Sequence, residues 1–110
     1  MDATQLLKGV LDLAVLAVLD NDDGYGYDIL RRLRTAGLDD VGDASVYGTL
    51  RRLFHAGYLT TYVVPSDEGP HRKYYALNGA GRAQLDASSK VWRAFAATMD
   101  RLLEDRGVTS

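Results

Sequence analysis

Three groups of side chains in this 110-residue sequence are of types that engage another molecule. Ser45, Thr49, Arg51 and Arg52 follow one another at helical spacing. Arg72 and Lys73 stand together before two tyrosines, and Arg31, Arg32 and Arg34 crowd the end of another helical stretch. Hydroxyls and cations of this kind bond and neutralise phosphate oxygens, and an arginine can take both acceptors of a guanine edge. Other chemistries are poorly served. No nucleophile has a base beside it, and no carboxylate pair suggests acid–base work. His55 and His71 lack partners at metal-ligand spacing, and Asp20, Asp22 and Asp23 lack the closing glutamate of a calcium loop. Gly24 and Gly26 follow no strand signal and so do not read as a phosphate cradle. Without cysteine there is neither a disulfide nor a thiolate zinc site. The chain is read as a non-enzyme with no metal and no cofactor.

Composition sets the frame. Hydrophobic residues make up 46% and charged residues 25%, ordinary values for a soluble domain, and the length suits one core. The longest apolar run, Leu13 to Leu19, is too short to cross a bilayer and lacks the flanks of a secretory signal, so no membrane partner and a cytoplasmic location are expected. A net charge of −2 does not by itself favour nucleic acid. Its distribution matters more. Acids gather at Asp20, Asp22, Asp23, Asp39 and Asp40, away from the arginine groups, which allows a basic face on an acidic protein and equally suits plain solvated surface.

The elements that must carry these groups can be read in order. From about Thr4 to Leu19 the chain is apolar on most sides (Leu6, Leu7, Val10, Leu11, Val15, Leu16), as a helix central to a core or a subunit interface would be; Asp2 or Thr4 can cap it. Tyr27, Ile29, Leu30 and Leu33 form a helical stripe closed by Gly37. Asp28 near its start and the arginines near its end suit the helix dipole, which explains those arginines without any partner. A third helix fits Ala44 to Ala56, capped by Asp43 and stopped by Gly57. Val46, Leu50, Leu53 and Phe54 fall on its inner side. Ser45, Gly48, Arg51, Arg52 and His55 fall outside, with Tyr47 and Thr49 at the edges. Tyr58–Val64 and Arg72–Leu77 read as two strands joined by a proline-containing loop, with Tyr74 and Tyr75 as packing residues.

The last segment starts at Asn78, a good N-cap, and runs to about Arg106 before Gly107. Leu85, Trp92 and Met99 recur every seven residues, with Phe95 and Leu102 three residues after the latter two. A helix of roughly 28 residues spans about 42 Å, more than the rest of the chain can cover, so a second copy is the economical partner. The fold class is therefore mainly α with a small β-hairpin: a winged helix-turn-helix over residues 1–78 and a long dimerisation helix over 79–110. In that architecture the third helix enters the major groove and the hairpin reaches a neighbouring groove or backbone. Winged helices also serve as protein–protein adaptors, and the pattern alone leaves both uses open.

Four stretches, LLKGVLDLAVLAVL, YGYDILRRL, SVYGTLRRLFHAGYL and GPHRKYYALNGAG, resemble in order and spacing the PadR family of bacterial regulators, over about Leu6 to Leu103. With one terminal helix the chain is similar to the family's short subfamily. The resemblance implies a homodimeric repressor of inverted-repeat operator DNA, held together by the first and last helices, with Leu7, Leu11, Leu85, Trp92, Phe95, Met99 and Leu102 as dimer contacts. It implies DNA contacts at Tyr25, Ser45, Tyr47, Thr49, Arg51 and Arg52 and, on the wing, at Arg72 and Lys73. In small members a tryptophan of the last helix stacks flat aromatic drugs between subunits, which makes Trp92 and Phe95 candidates for a small aromatic or cationic effector. Gly48 departs from the proline common in relatives, which would loosen the first turn of the third helix.

Overall fold

The computed structural model describes residues 1–108. Its elements are α1 (Ala3–Asn21), β1 (Gly24–Tyr25), α2 (Gly26–Thr35), α3 (Asp43–His55), β2 (Leu59–Val64), β3 (Arg72–Leu77) and α4 (Gly79–Val108). Local chemistry sets the helix ends. Asp2 opens α1 with a capping box: its carboxylate accepts from the Gln5 amide at 3.1 Å, and the Gln5 side chain accepts from the Asp2 amide at 3.3 Å. Both α2 and α3 close in a Schellman turn, with Gly37 at φ 121° and Gly57 at φ 89°. The amides that follow them, of Leu38 and Tyr58, reach back to the carbonyls of Leu33 and Leu53. Leu38 and Tyr58 then pack against the core, so each turn also aims the next segment. Helix α3 begins one residue earlier than expected, with Gly42 as N-cap and Asp43 in the first turn. Gly48 therefore lies in the second turn, inside an unbroken helix.

The core lies where α1, α2 and α3 meet the inner face of the sheet. Val15, Leu16, Ile29, Leu30, Leu33, Val46 and Leu50 are fully buried, and Leu59 and Leu77 join them from the strands. Leu7 and Leu11 belong to this same core, at 7% and 9% exposure. Leu85, at the start of α4, packs half-buried against it. The reading of Leu7 and Leu11 as contacts to a second chain is corrected accordingly: the monomer has already buried them.

The wing is a three-stranded antiparallel sheet in the order β1-β3-β2 rather than a simple hairpin. Gly24 pairs with Tyr75 and Tyr25 with Tyr74, so the residues that lead into α2 also complete the sheet. Two residues carry no periodicity, and such a strand exists only because β3 supplies its partner groups. Asn78 caps α4, accepting from the Gly81 amide at 2.8 Å and donating to the Gly57 carbonyl at 2.9 Å, which ties α4 to the turn after α3. Helix α4 then leaves the body, giving overall extents of 64 × 27 × 20 Å. It runs through Gly107 to Val108 instead of stopping before the glycine. No helix among the described residues is long and apolar enough to cross a membrane.

Candidate nucleic-acid interface

Helix α3 sorts its polar side chains more sharply than its sequence did. Val46, Leu50 and Leu53 are buried as expected, and Thr49 is buried with them at 3% exposure. Thr49 therefore supports the core and is withdrawn from the DNA-contacting set. Phe54 moves the other way: at 36% exposure it lies on the flank toward the wing. Ser45, Tyr47 and Arg51 are exposed, and Arg51 has no partner among the described residues. The Tyr47 ring lies against Gly26, where any Cβ would collide with it, so the glycine that opens α2 also seats the tyrosine of α3. Arg52 is turned to the opposite flank, where its guanidinium is paired with Asp12 of α1. As the structure stands, Arg52 is not a free cation for DNA.

The wing separates the basic pair. Alternation along β3 places Arg72, Tyr74 and Ala76 on one face and Lys73, Tyr75 and Leu77 on the other. The second face is the one that packs inward through Tyr75 and Leu77. Lys73 thus sits beside α3, its ammonium 5.7 Å from the Phe54 ring and 5.5 Å from the Tyr75 ring. Arg72 lies 4.6 Å above the Tyr25 ring on the outer face. There Tyr74 is stacked on Tyr62 and meets Tyr25 edge-on, each at 5.4 Å between centroids. The Tyr62 hydroxyl donates to the Asp23 carboxylate at 2.7 Å, which pushes the Tyr62 pKa up to about 12. This tyrosine ladder was not foreseen beyond packing at Tyr74; the alternation of tyrosines across paired strands was its one signal, and the register was needed to see it.

Two of the α2 arginines hold the fold together. Arg32 donates to the carbonyls of Val18, Asp22 and Asp23 at 3.1–3.3 Å and pairs with Asp28 at 3.3 Å, closing the end of α1 onto α2. Arg34 donates twice to the Val41 carbonyl, at 2.9 and 3.1 Å, fixing the turn that precedes α3. Reading them as solvated charges missed this, because the carbonyls they satisfy come from other segments. Arg31 remains exposed and, among the described residues, pairs only with Asp28.

A second surface lies away from α3. Helices α1 and α4 enclose a groove of about 740 Å³, in which Trp92 and Phe95 face Leu6, Val10 and Leu13. Trp92 is 44% and Phe95 60% exposed, and Met99 and Leu102 extend the same apolar character along α4. The structure brings Trp92 and Phe95 together, and it replaces Leu7 and Leu11 with Leu6, Val10 and Leu13 as the outward stripe of α1.

The model of the PadR-like transcriptional regulator family matches residues 15–87, from mid-α1 through the wing into α4. The chain belongs to the PadR-like family. A PadR-like transcriptional regulator from Bacillus cereus is 31% identical and superposes with a TM-score of 0.80 over 90% of this chain and 96% of its own. A PadR family regulator from Eggerthella lenta gives 0.82 at 27% identity, over 92% and 88%. An uncharacterised protein of Lysinibacillus sphaericus is 27% identical over 106 residues, 94% of this chain and 97% of that one. Membership makes this PadR-like protein a DNA-binding transcription regulator with a winged-helix fold. It also decides the choice that sequence pattern left open, between DNA binding and a protein–protein adaptor.

Proposed function

We propose that this PadR-like protein is a cytoplasmic repressor that binds an inverted-repeat operator as a homodimer. Residues 1–78 are the DNA-binding head, with Ser45, Tyr47 and Arg51 of α3 facing the major groove. Tyr25, Arg72 and Lys73 engage the flanking backbone from the wing side. Helix α4 is the dimerisation element. The observation that carries this reading is the apolar surface the single chain leaves uncovered: Val91, Trp92, Phe95, Leu102 and Leu103 of α4 and Leu6 of α1, each 44% exposed or more. Contiguous apolar surface on this scale marks a contact with another chain. A second copy placed across it joins two heads by a two-fold axis, which an inverted repeat matches.

Sedimentation at low micromolar concentration should give twice the chain mass, and replacing Trp92, Phe95 and Met99 together by polar residues should give the monomer and abolish binding to a palindromic site. A stable wild-type monomer would overturn the dimer. The groove supports a further element of the reading, regulation by a flat apolar or cationic effector stacked on Trp92. Trp92 is the sequence's single tryptophan, so saturable quenching by planar dyes, lost in Trp92→Ala, reports on it directly. Equal dye binding by that variant would remove the effector site.

A further inference from the structure

Arg52 lies on the helix that faces DNA, yet it is held elsewhere. At 100° per residue, Ser45 and Arg52 share one flank of α3, while Tyr47 and Phe54 share the other. The Tyr47 flank meets α2 and the wing. The Arg52 flank meets α1, where Asp12 receives the guanidinium. Both side chains are half exposed, at 60% for Arg52 and 50% for Asp12. Asp12 also borders the α1–α4 groove, and it is the single ionisable side chain among the residues lining it.

We infer that Asp12 is a positioning residue for DNA binding: it draws Arg52 back along the α1 flank of α3, so that the charge α3 offers to phosphate is set from α1. Two features give the pair this role. It is exposed, hence weak enough for DNA phosphates to compete with it. Its acidic member belongs to α1, outside α3, so removing that carboxylate frees Arg52 and leaves every side chain of α3 itself in place. The inference rests on DNA binding and is independent of dimer formation and of any effector.

The test uses the full chain and a fluorescently labelled random-sequence DNA duplex, with anisotropy measured across a salt series. Asp12→Asn should bind about two- to fivefold tighter, the range set by an exposed ion pair. Its log–log salt slope should steepen by about 0.9 for each protomer on the DNA, as each freed Arg52 neutralises one more phosphate. Both effects should vanish when Arg52→Gln is added. Asp20→Asn, which removes from the same helix an acid with no partner among the described residues, should show neither. Asp12→Ser repeats the measurement should Asn disturb α1. Equal tightening by Asp20→Asn, or tightening that survives Arg52→Gln, would mean only a change in overall field and would overturn the inference. So would an unchanged Asp12→Asn, or an Arg52→Gln single variant that weakens binding as much as it does in the Asp12→Asn background.

Discussion

Replacing Arg32 by alanine is the most direct test of how the helix-turn-helix is held. Its guanidinium reaches three carbonyls at 3.1–3.3 Å from the end of α1 and the loop after it, and pairs with Asp28 one turn earlier on α2. The side chain is only 26% exposed. A hydrogen bond to a charged group contributes about 1.5–3 kcal/mol, but the three here are not additive. After truncation, water can reach the Asp22 carbonyl, and the Val18 carbonyl keeps the Asp22 amide at 3.4 Å. The expected loss is therefore about 2–3 kcal/mol rather than the sum. For a domain of this size that lowers Tm by roughly 10–20 °C. Arg32→Lys should recover less than half, since one ammonium cannot span carbonyls from three positions. Arg31→Ala is the control: that side chain is exposed and, among the described residues, has only the Asp28 pair, so its removal should leave stability nearly unchanged. Urea unfolding at one fixed protein concentration compares the three variants. If Arg32→Ala falls within about 0.5 kcal/mol of Arg31→Ala, the carbonyl clamp contributes nothing and the reasoning fails.

Gly81→Ala should destabilise by about 1–3 kcal/mol or more in a thermal melt, because its Cβ would collide with the Tyr58 carbonyl and lie 2.6 Å from Leu77 Cδ1. Thr49→Val keeps the shape of a buried side chain and should leave DNA affinity unchanged in gel shifts; a tenfold loss, about 1.4 kcal/mol, would return Thr49 to the interface. The Asp23 carboxylate favours the protonated Tyr62 phenol, raising its pKa from 10.0 to about 12 in the folded chain. Stability from that proton is complete below pH 10 and declines as pH rises from 10 toward 12. Phenolate absorbance should show one tyrosine ionising after the others, and Tyr62→Phe should abolish that step.

How far each feature could be read in advance depended on where its cause lies. Helices α2 and α3 were legible because an apolar stripe, an acid near the start and a closing glycine are all local, although Asp43 proved to be in the first turn of α3 rather than its cap. The β3 limits, Arg72 and Leu77, were legible for the same reason. Strand β1 was not, since two residues have no pattern and their pairing partner lies some fifty positions away. Helix α1 was legible as a helix but not as a surface. When most sides are apolar, Leu7 and Leu11 look no different from Leu6 and Val10 until the neighbours choose between them.

The candidate site divides in the same way. Residue types and spacing alone identified a cationic third helix, a basic wing and an uncovered terminal helix, because charge, turn chemistry and heptad spacing are properties of the chain. Tertiary structure decided which of those groups remain available. It buried Thr49, gave Arg52 to Asp12, gave Arg32 and Arg34 to backbone carbonyls, and sent Arg72 and Lys73 to opposite faces of one strand. A side chain's type states what it can bond; only the packing of distant segments determines which partner reaches it first.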